Sequence, residues 1–269
     1  MNIEIRDLCH IYPNGVEALR GISLSIGTGE QVALIGQNGA GKTTLVKHLN
    51  GLLRPTRGEV WIGDWETRQF SVSRLAARVG YVFQNPDEQL FCKTVEEEVA
   101  FGPKNLGFDP VQTAAMVEDA LMLTGLWDKR GVNPYDLSPT GRKMTALASI
   151  LSMDTPIIIL DEPTTGQDAA TTARIAQIIA RLRKRGKTVI TITHDIDFCA
   201  ENFARVIALL QGQVLLDGPA REVLGQEELL AQTYVEPPQL TRLGKRLELP
   251  ETILNQDEFL RAYRKVTTH

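Results

Sequence analysis

Apolar and polar residues alternate along Asn2–Asp7 and again along Ile22–Ile26, the period of strands with one covered face. Gln31–Ile35 is a short apolar run ending at a glycine and reads as a buried strand. The period then changes: Thr43–Leu53 puts Leu45, Leu49 and Leu52 on one side of a helix. Glu59–Ile62 and Val79–Phe83 read as further strands. From Thr94 to about Ser152 the spacing is helical, through Val95, Val99 and Phe101, then Met116, Ala120, Leu123 and Trp127. Breaks fall at Gly107–Pro110 and Gly131–Pro134. Strand character returns at Pro156–Leu160 and at Thr188–Thr193. Between them Ala169–Arg185 is a helix with Ile175, Ile178, Ile179 and Leu182 inward. Arg205–Gln211 and Gln213–Asp217 flank Gly212 and are spaced to pair. Beyond Pro219 come short polar helices, a break at Pro237–Pro238, and an amphipathic segment with Phe259, Leu260, Tyr263 and Val266.

Apolar strands alternating with helices predict an α/β fold with a mostly parallel sheet covered on both faces. The helical stretch from Thr94 to Ser152 interrupts that alternation and reads as a subdomain inserted into the core. At 269 residues and 43% apolar, the chain has ample material for one large domain or two small ones. Its longest apolar runs, such as Pro156–Leu160 and Val206–Leu210, fall far short of the roughly 20 residues that span a bilayer. A net charge of −4 gives no general attraction to nucleic acid or to an anionic membrane surface. Any membrane role must therefore run through a protein partner. No signal peptide is expected from MNIEIRDLCHIY. Cys9, Cys92 and Cys199 are widely separated and read as reduced packing residues.

Two segments carry chemistry. Gly36-Gln37-Asn38-Gly39-Ala40-Gly41-Lys42-Thr43 fits GxxxxGK[ST] between a predicted strand and a predicted helix. Glycines there let successive N–H groups turn inward as a nest for phosphate oxygens, and the following helix adds its positive end. Lys42 is placed to reach the β- and γ-phosphates, and the Thr43 hydroxyl to ligate Mg²⁺; Thr44 completes the cofactor-binding stretch. Ile157–Glu162 delivers two carboxylates at the end of an apolar strand. Asp161 is expected to hold the magnesium shell, and Glu162 to polarise the attacking water.

Further segments resemble the ATP-binding-cassette (ABC) ATPases, over roughly Asn2 to Leu247. Tyr12 stands where that family stacks a ring on adenine. Gln84, in Tyr81-Val82-Phe83-Gln84-Asn85-Pro86, is similar to the Q-loop glutamine that touches magnesium and faces the membrane partner. His194 resembles the switch histidine at the γ-phosphate. Gly166-Gln167-Asp168 is similar to the D-loop, although Asp168 equally suits a plain N-cap for the following helix. Leu137-Ser138-Pro139-Thr140-Gly141 departs from the family's LSGGQ. Only Leu137 and Ser138 match, leaving Ser138 as a donor to the γ-phosphate held by an opposite subunit. Pro139 has no N–H, and Thr140 does not suit a positive φ. From Gly141 a helix is expected to point its N-terminus at that site.

Phe83–Phe91, Thr94–Gly107 and Glu228–Leu243 resemble the ATPases of energy-coupling factor importers. The resemblance implies a P-loop ABC ATPase core in residues 1–225, with an N-terminal antiparallel β-subdomain and the helical subdomain inserted at about 86–152. Residues 226–269 would form a C-terminal helical extension and a candidate dimer contact. It also implies ATP and Mg²⁺, and a peripheral place on the cytoplasmic side of the cell membrane. The partners would be a second ABC ATPase subunit, an identical chain or, as the altered LSPTG segment favours, a different one, together with an integral membrane coupling protein and a membrane substrate-binding component. The cargo would be a vitamin or a transition-metal ion. Asp87 and Glu88, beside the partner groove, are expected to meet basic residues of that coupling protein. Two alternatives remain. A soluble ABC ATPase of the repair or translation type would carry a long coiled-coil insert or a tandem cassette, and no nucleic-acid-binding patch is evident here. A regulatory nucleotide-binding subunit with weak hydrolysis would follow from the altered LSPTG segment.

Overall fold

Residues 1–267 are described in the computed structural model. Two sheets divide ten strands: β1 (Ile3–Ile11), β2 (Glu17–Ile26), β3 (Gln31–Ile35), β4 (Arg57–Ile62), β5 (Trp65–Glu66), β6 (Val79–Val82), β7 (Ile157–Asp161), β8 (Thr188–Ile192), β9 (Arg205–Leu210) and β10 (Gln213–Pro219). The N-terminal sheet is antiparallel, in the order β2-β1-β4-β5. The larger sheet runs β10-β9-β3-β8-β7-β6 and is parallel except for the β9–β10 hairpin.

The helices are α1 (Lys42–Leu49), α2 (Val72–Leu75), α3 (Val95–Asn105), α4 (Pro110–Thr124), α5 (Pro139–Leu151), α6 (Ala169–Lys184), α7 (Ile196–Asn202), α8 (Ala220–Leu224), α9 (Glu227–Gln232), α10 (Gln239–Arg246) and α11 (Gln256–Thr267). Strands β3, β6, β7, β8 and the middle of β9 are buried on both faces, whereas the edge strand β10 is half-exposed, and the two-residue period sorts side chains into two cores. Val32, Leu34, Ile157, Ile159, Ile190, Ile192, Ile207 and Leu209 join α1 and the N-terminal sheet. Ala33, Ile35, Ile158, Leu160, Val189, Val206 and Ala208 face α3 to α8.

The helical insert forms between β6 and β7 as three helices. Gly107 takes φ +85°, and Asp109 then opens α4 with a capping box and Pro110 at the first position. Some periodicity expectations fail here. The buried face of α4 is Thr113, Val117, Ala120, Leu121 and Thr124, while Met116 and Leu123 are only half-buried. Phe101 is exposed. Helix α1 stops at Leu49 because Gly51 turns the chain at φ +75°, which leaves Leu52 outside. The C-terminal helices pack through Gly244 against Ile253 and through ion pairs Arg221–Glu258 and Lys245–Glu227. Of the predicted last segment, the Val266 side chain lies outside the described residues, as do residues 268 and 269.

Candidate functional site

Four chain segments leave the carboxyl ends of adjacent parallel strands and meet, the position where open α/β sheets bind ligands. β3 runs into Gly36, β7 into Asp161 and Glu162, β8 into Thr193 and His194, and β6 into Phe83 and Gln84. Gly36, at φ +138°, has the carbonyl of Leu209 only 2.4 Å from where a Cβ would stand, so no other residue fits. Gly39, at φ +81°, faces open space instead, leaving the cradle clear.

The Lys42 ammonium donates to the carbonyls of Gly36 (2.6 Å) and Gln37 (3.0 Å) and lies 3.5 Å from His194 Nε2. Burial lowers its pKa, while Glu162 and Asp161 pull it back up. Asp161 is 2% exposed, and burial raises its pKa. Its Oδ2 accepts from Tyr81 Oη at 2.6 Å and from Thr43 Oγ1 at 3.3 Å. Its Oδ1 is buried without a protein partner.

Glu162 sits at φ +48°, an uncommon conformation for a residue with a side chain. Its Oε2 accepts from Thr165 Oγ1 at 3.0 Å, and its Oε1 lies 3.1 Å from His194 Nε2. Burial and then Lys42 lower the His194 pKa, against Glu162, which raises it. Nε2–H directed to Glu162 lets the imidazole orient the carboxylate.

A cleft of about 480 Å³ opens over these groups, lined by Tyr12, Val16, Asn38 to Thr44, Gln84 and Glu162. Tyr12 is anchored through its hydroxyl to Thr44 Oγ1 at 3.0 Å and lies edge-on to His10 at 4.6 Å. Val16, 54% exposed beside it, was not singled out from the sequence, where it is one valine in a turn. A cavity of about 650 Å³ between α3 and α4 shares none of these residues.

The structure thus brings together Tyr12, Gly36 to Thr44, Gln84, Asp161, Glu162 and His194, but not Ser138. Ser138 is absent from the cleft lining and is the N-cap of α5, its Oγ accepting from Gly141 N–H at 3.2 Å. The helix begins at Pro139 rather than Gly141. Proline at that first position gives up an N–H that has no partner within the helix anyway. Thr140 has no positive φ, so the expected steric conflict is absent. Asp168 caps α6 by accepting from Thr171 N–H at 2.8 Å. Asp87 is already paired within the chain, 3.1 Å from Arg142.

Two anchors escaped the sequence reading. Gln89 bridges the Gln84 segment to α5, accepting from Phe83 N–H and donating to Ala146 O and Ser149 Oγ. Glu98 is 3% exposed and accepts from the N–H groups of Phe91 and Cys92. An acidic first turn gave no sign that one of its three glutamates points inward.

Residues 19–165 match the sequence model of the ABC transporter family. An ABC transporter ATP-binding protein of Geobacter sulfurreducens is 48% identical over 236 residues, covering 88% of this chain and 94% of the relative. The energy-coupling factor transporter ATP-binding protein EcfA of Methanothermobacter thermautotrophicus is 41% identical, covering 92% and 80%. The structure of cbiO1 from Clostridium perfringens, described as part of the ABC transporter complex cbiONQ, superposes with a TM-score of 0.76 at 32% identity. It covers 91% of this chain and 98% of cbiO1. With the phosphate loop and the carboxylates held at the strand ends, these likenesses place the chain in the family of ABC transporter ATPases.

Proposed function

We propose that this chain is the ATP-hydrolysing subunit of an energy-coupling factor importer for a vitamin or a transition-metal ion, held peripherally on the cytoplasmic side of the cell membrane. The observation that carries the catalytic part is a convergence at the ends of adjacent strands: Lys42 lies 3.5 Å from His194, His194 3.1 Å from Glu162, and Asp161 3.3 Å from the Thr43 hydroxyl. The importer assignment is supported by the energy-coupling factor relatives. No helix among the described residues is long and apolar enough to cross a membrane, consistent with attachment through a partner.

Tyr12 and Val16 take the adenine ring, and the N–H groups of the Gly36–Thr43 loop take the phosphates. Lys42 exchanges its two loop carbonyls for phosphate oxygens. Glu162 accepts a proton from water as that water attacks the γ-phosphorus, and ADP leaves. His194 keeps the Glu162 carboxylate turned toward the water. The partnerless Asp161 Oδ1 and the nearby Thr43 hydroxyl fit a magnesium shell, with Gln84 on the cleft wall as a further oxygen donor. Mg²⁺ bound there would neutralise charge on the phosphate oxygens. Glu162→Gln keeps shape but loses basicity. ATP binding should persist while turnover falls by about 10²-fold or more; near-normal turnover would remove Glu162 from the mechanism.

Since Ser138 does not line its own chain's cleft, a γ-phosphate contact from it requires a second cassette. We expect that cassette to be a different chain, because Pro139 withdraws one amide from the segment. Mixing in a second cassette that bears a complete LSGGQ should then raise turnover per site severalfold. An unchanged rate in the mixture, with dimer present, would favour pairing of identical chains.

A further inference from the structure

Lys143 is 6% exposed, lies on α5, and takes no part in the site as described so far. Its Nζ donates to the carbonyl of Glu162 at 2.8 Å and to that of Thr165 at 3.1 Å. These two carbonyls bracket the loop Glu162-Pro163-Thr164-Thr165. The loop needs such a hold. Glu162 is in a left-handed conformation that a side-chain-bearing residue adopts at a cost, and surrounding contacts must compensate. Within the loop, the main-chain bond from Thr165 N–H to Glu162 O is long, at 3.4 Å, beside Thr165 Oγ1 donating to Glu162 Oε2 at 3.0 Å and Gln167 N–H donating to Thr164 O at 3.0 Å. Gln167 Nε2 reaches Thr165 O at 3.4 Å. By length and charge, the two Lys143 contacts are the strongest hydrogen bonds that these carbonyls accept. A buried ammonium is costly unless it is bonded. Here it is bonded to main chain at both ends of the loop; burial lowers its pKa, while Glu162 and Asp161 pull it back up.

We propose that Lys143 is a positioning residue: its ammonium locks the Glu162–Thr165 loop in the turn that aims the Glu162 carboxylate at the attacking water. It lies five residues beyond Ser138, the N-cap of the same helix. Displacement of the α5 N-terminus is therefore transmitted through Nζ to the main chain of Glu162. The proposal rests on Glu162 acting as the base.

The test compares Lys143→Met, Lys143→Arg and Glu162→Gln in otherwise intact protein, measuring kcat, KM and the equilibrium affinity for ATP. Lys143→Met should lower kcat roughly 10- to 100-fold, the scale of a misaimed catalytic group, with KM and ATP affinity within about twofold of normal. Lys143→Arg, which can still donate to both carbonyls, should recover most of that loss. Combined with Glu162→Gln, Lys143→Met should add less than about twofold, because the group it aims is already disabled. Lys143→Gln, keeping a donor for one carbonyl, carries the same comparison if the methionine variant does not fold, with an intermediate kcat expected. The proposal is overturned by normal kcat in Lys143→Met, by a parallel loss of ATP affinity, by failure of arginine to rescue, or by full additivity with Glu162→Gln. A Glu162→Gln protein with normal turnover overturns the base assignment itself. Glu162→Gln inactive beside Lys143→Met fully active overturns only the role of Lys143.

Discussion

Individual residues in this chain are fixed by partners that the neighbouring sequence does not announce. His48, fully buried, sets its Nδ1 2.7 Å from the carbonyl of Thr44 and its Nε2 3.1 Å from His10 Nδ1. The Thr44 carbonyl can only accept, so His48 Nδ1 carries the proton, and His10 Nδ1–H is shared between His48 Nε2 and the Arg54 carbonyl at 3.2 Å. The pair joins β1, just ahead of Tyr12, to the helix that follows the phosphate loop. Burial pushes the His48 pKa from 6.5 down to about 4. The unfolded chain then takes up its proton first as pH falls. The contribution of His48 is complete above about 6.5 and is lost between there and about 4, up to about 3 kcal/mol. His48→Gln should flatten the melting temperature across that window relative to the parent. Parallel acid profiles for the two proteins would count against a buried neutral His48.

At the scale of elements, α5 connects the parts of the site. Its N-terminus carries Ser138, Arg142 reaches Asp87, Lys143 reaches the Glu162 loop, and Gln89 ties its middle to the segment after Gln84. The altered LSPTG segment therefore still starts a well-capped helix. Ser138→Ala removes the cap and should cost about 1 kcal/mol, or a few degrees of melting temperature by the usual scaling. Restoring the family's glutamine at Gly141 should not help. A Cβ there would stand 2.9 Å from Leu137 Cβ, and such overpacking typically costs about 1–3 kcal/mol. Thermal melts of Ser138→Ala and Gly141→Gln check both expectations. A Gly141→Gln protein as stable as the parent would show that Leu137 yields freely.

At the scale of the whole molecule, an aromatic pair stands exposed on the helical insert. Phe91 and Phe101 are 61% and 47% exposed and meet edge-to-face at 4.7 Å. They lie where the segment after Gln84 joins α3, the side on which the importer reading puts the membrane coupling protein. Because Asp87 is engaged by Arg142, we expect apolar contact rather than the Asp87 carboxylate to dominate that docking. Replacing both phenylalanines with aspartate should abolish copurification with the membrane component while leaving ATP binding within about twofold. Retained assembly at moderate salt would move the docking face elsewhere.

Local chemistry was legible in the sequence wherever a few adjacent residues suffice. Gly36–Thr43 reads as a phosphate nest from its own glycines, lysine and threonine between a strand and a helix, and β3, β7 and β8 declare themselves as short runs dominated by apolar and β-branched residues. Helix α6 shows its inward face at Ile175, Ile178, Ile179 and Leu182 because these positions recur at the helical period and all enter one core. The pattern misled where burial is set by distant neighbours. Leu52 and Phe101 have core-like spacing yet stay outside, one beyond a glycine turn and one on the open side of the insert. Glu98, Lys143 and His48 are buried polar residues whose partners lie 6 and 7 positions away for Glu98, 19 and 22 for Lys143, and 4 and 38 for His48. The capping of α5 also lay beyond sequence comparison, since a departure from LSGGQ shows which donor is missing but not that Pro139 falls at a helix's first position. Sequence determines what each short segment can do. Only the packed sheet decides which segments meet, because proximity across the strand ends depends on topology and not on chain order.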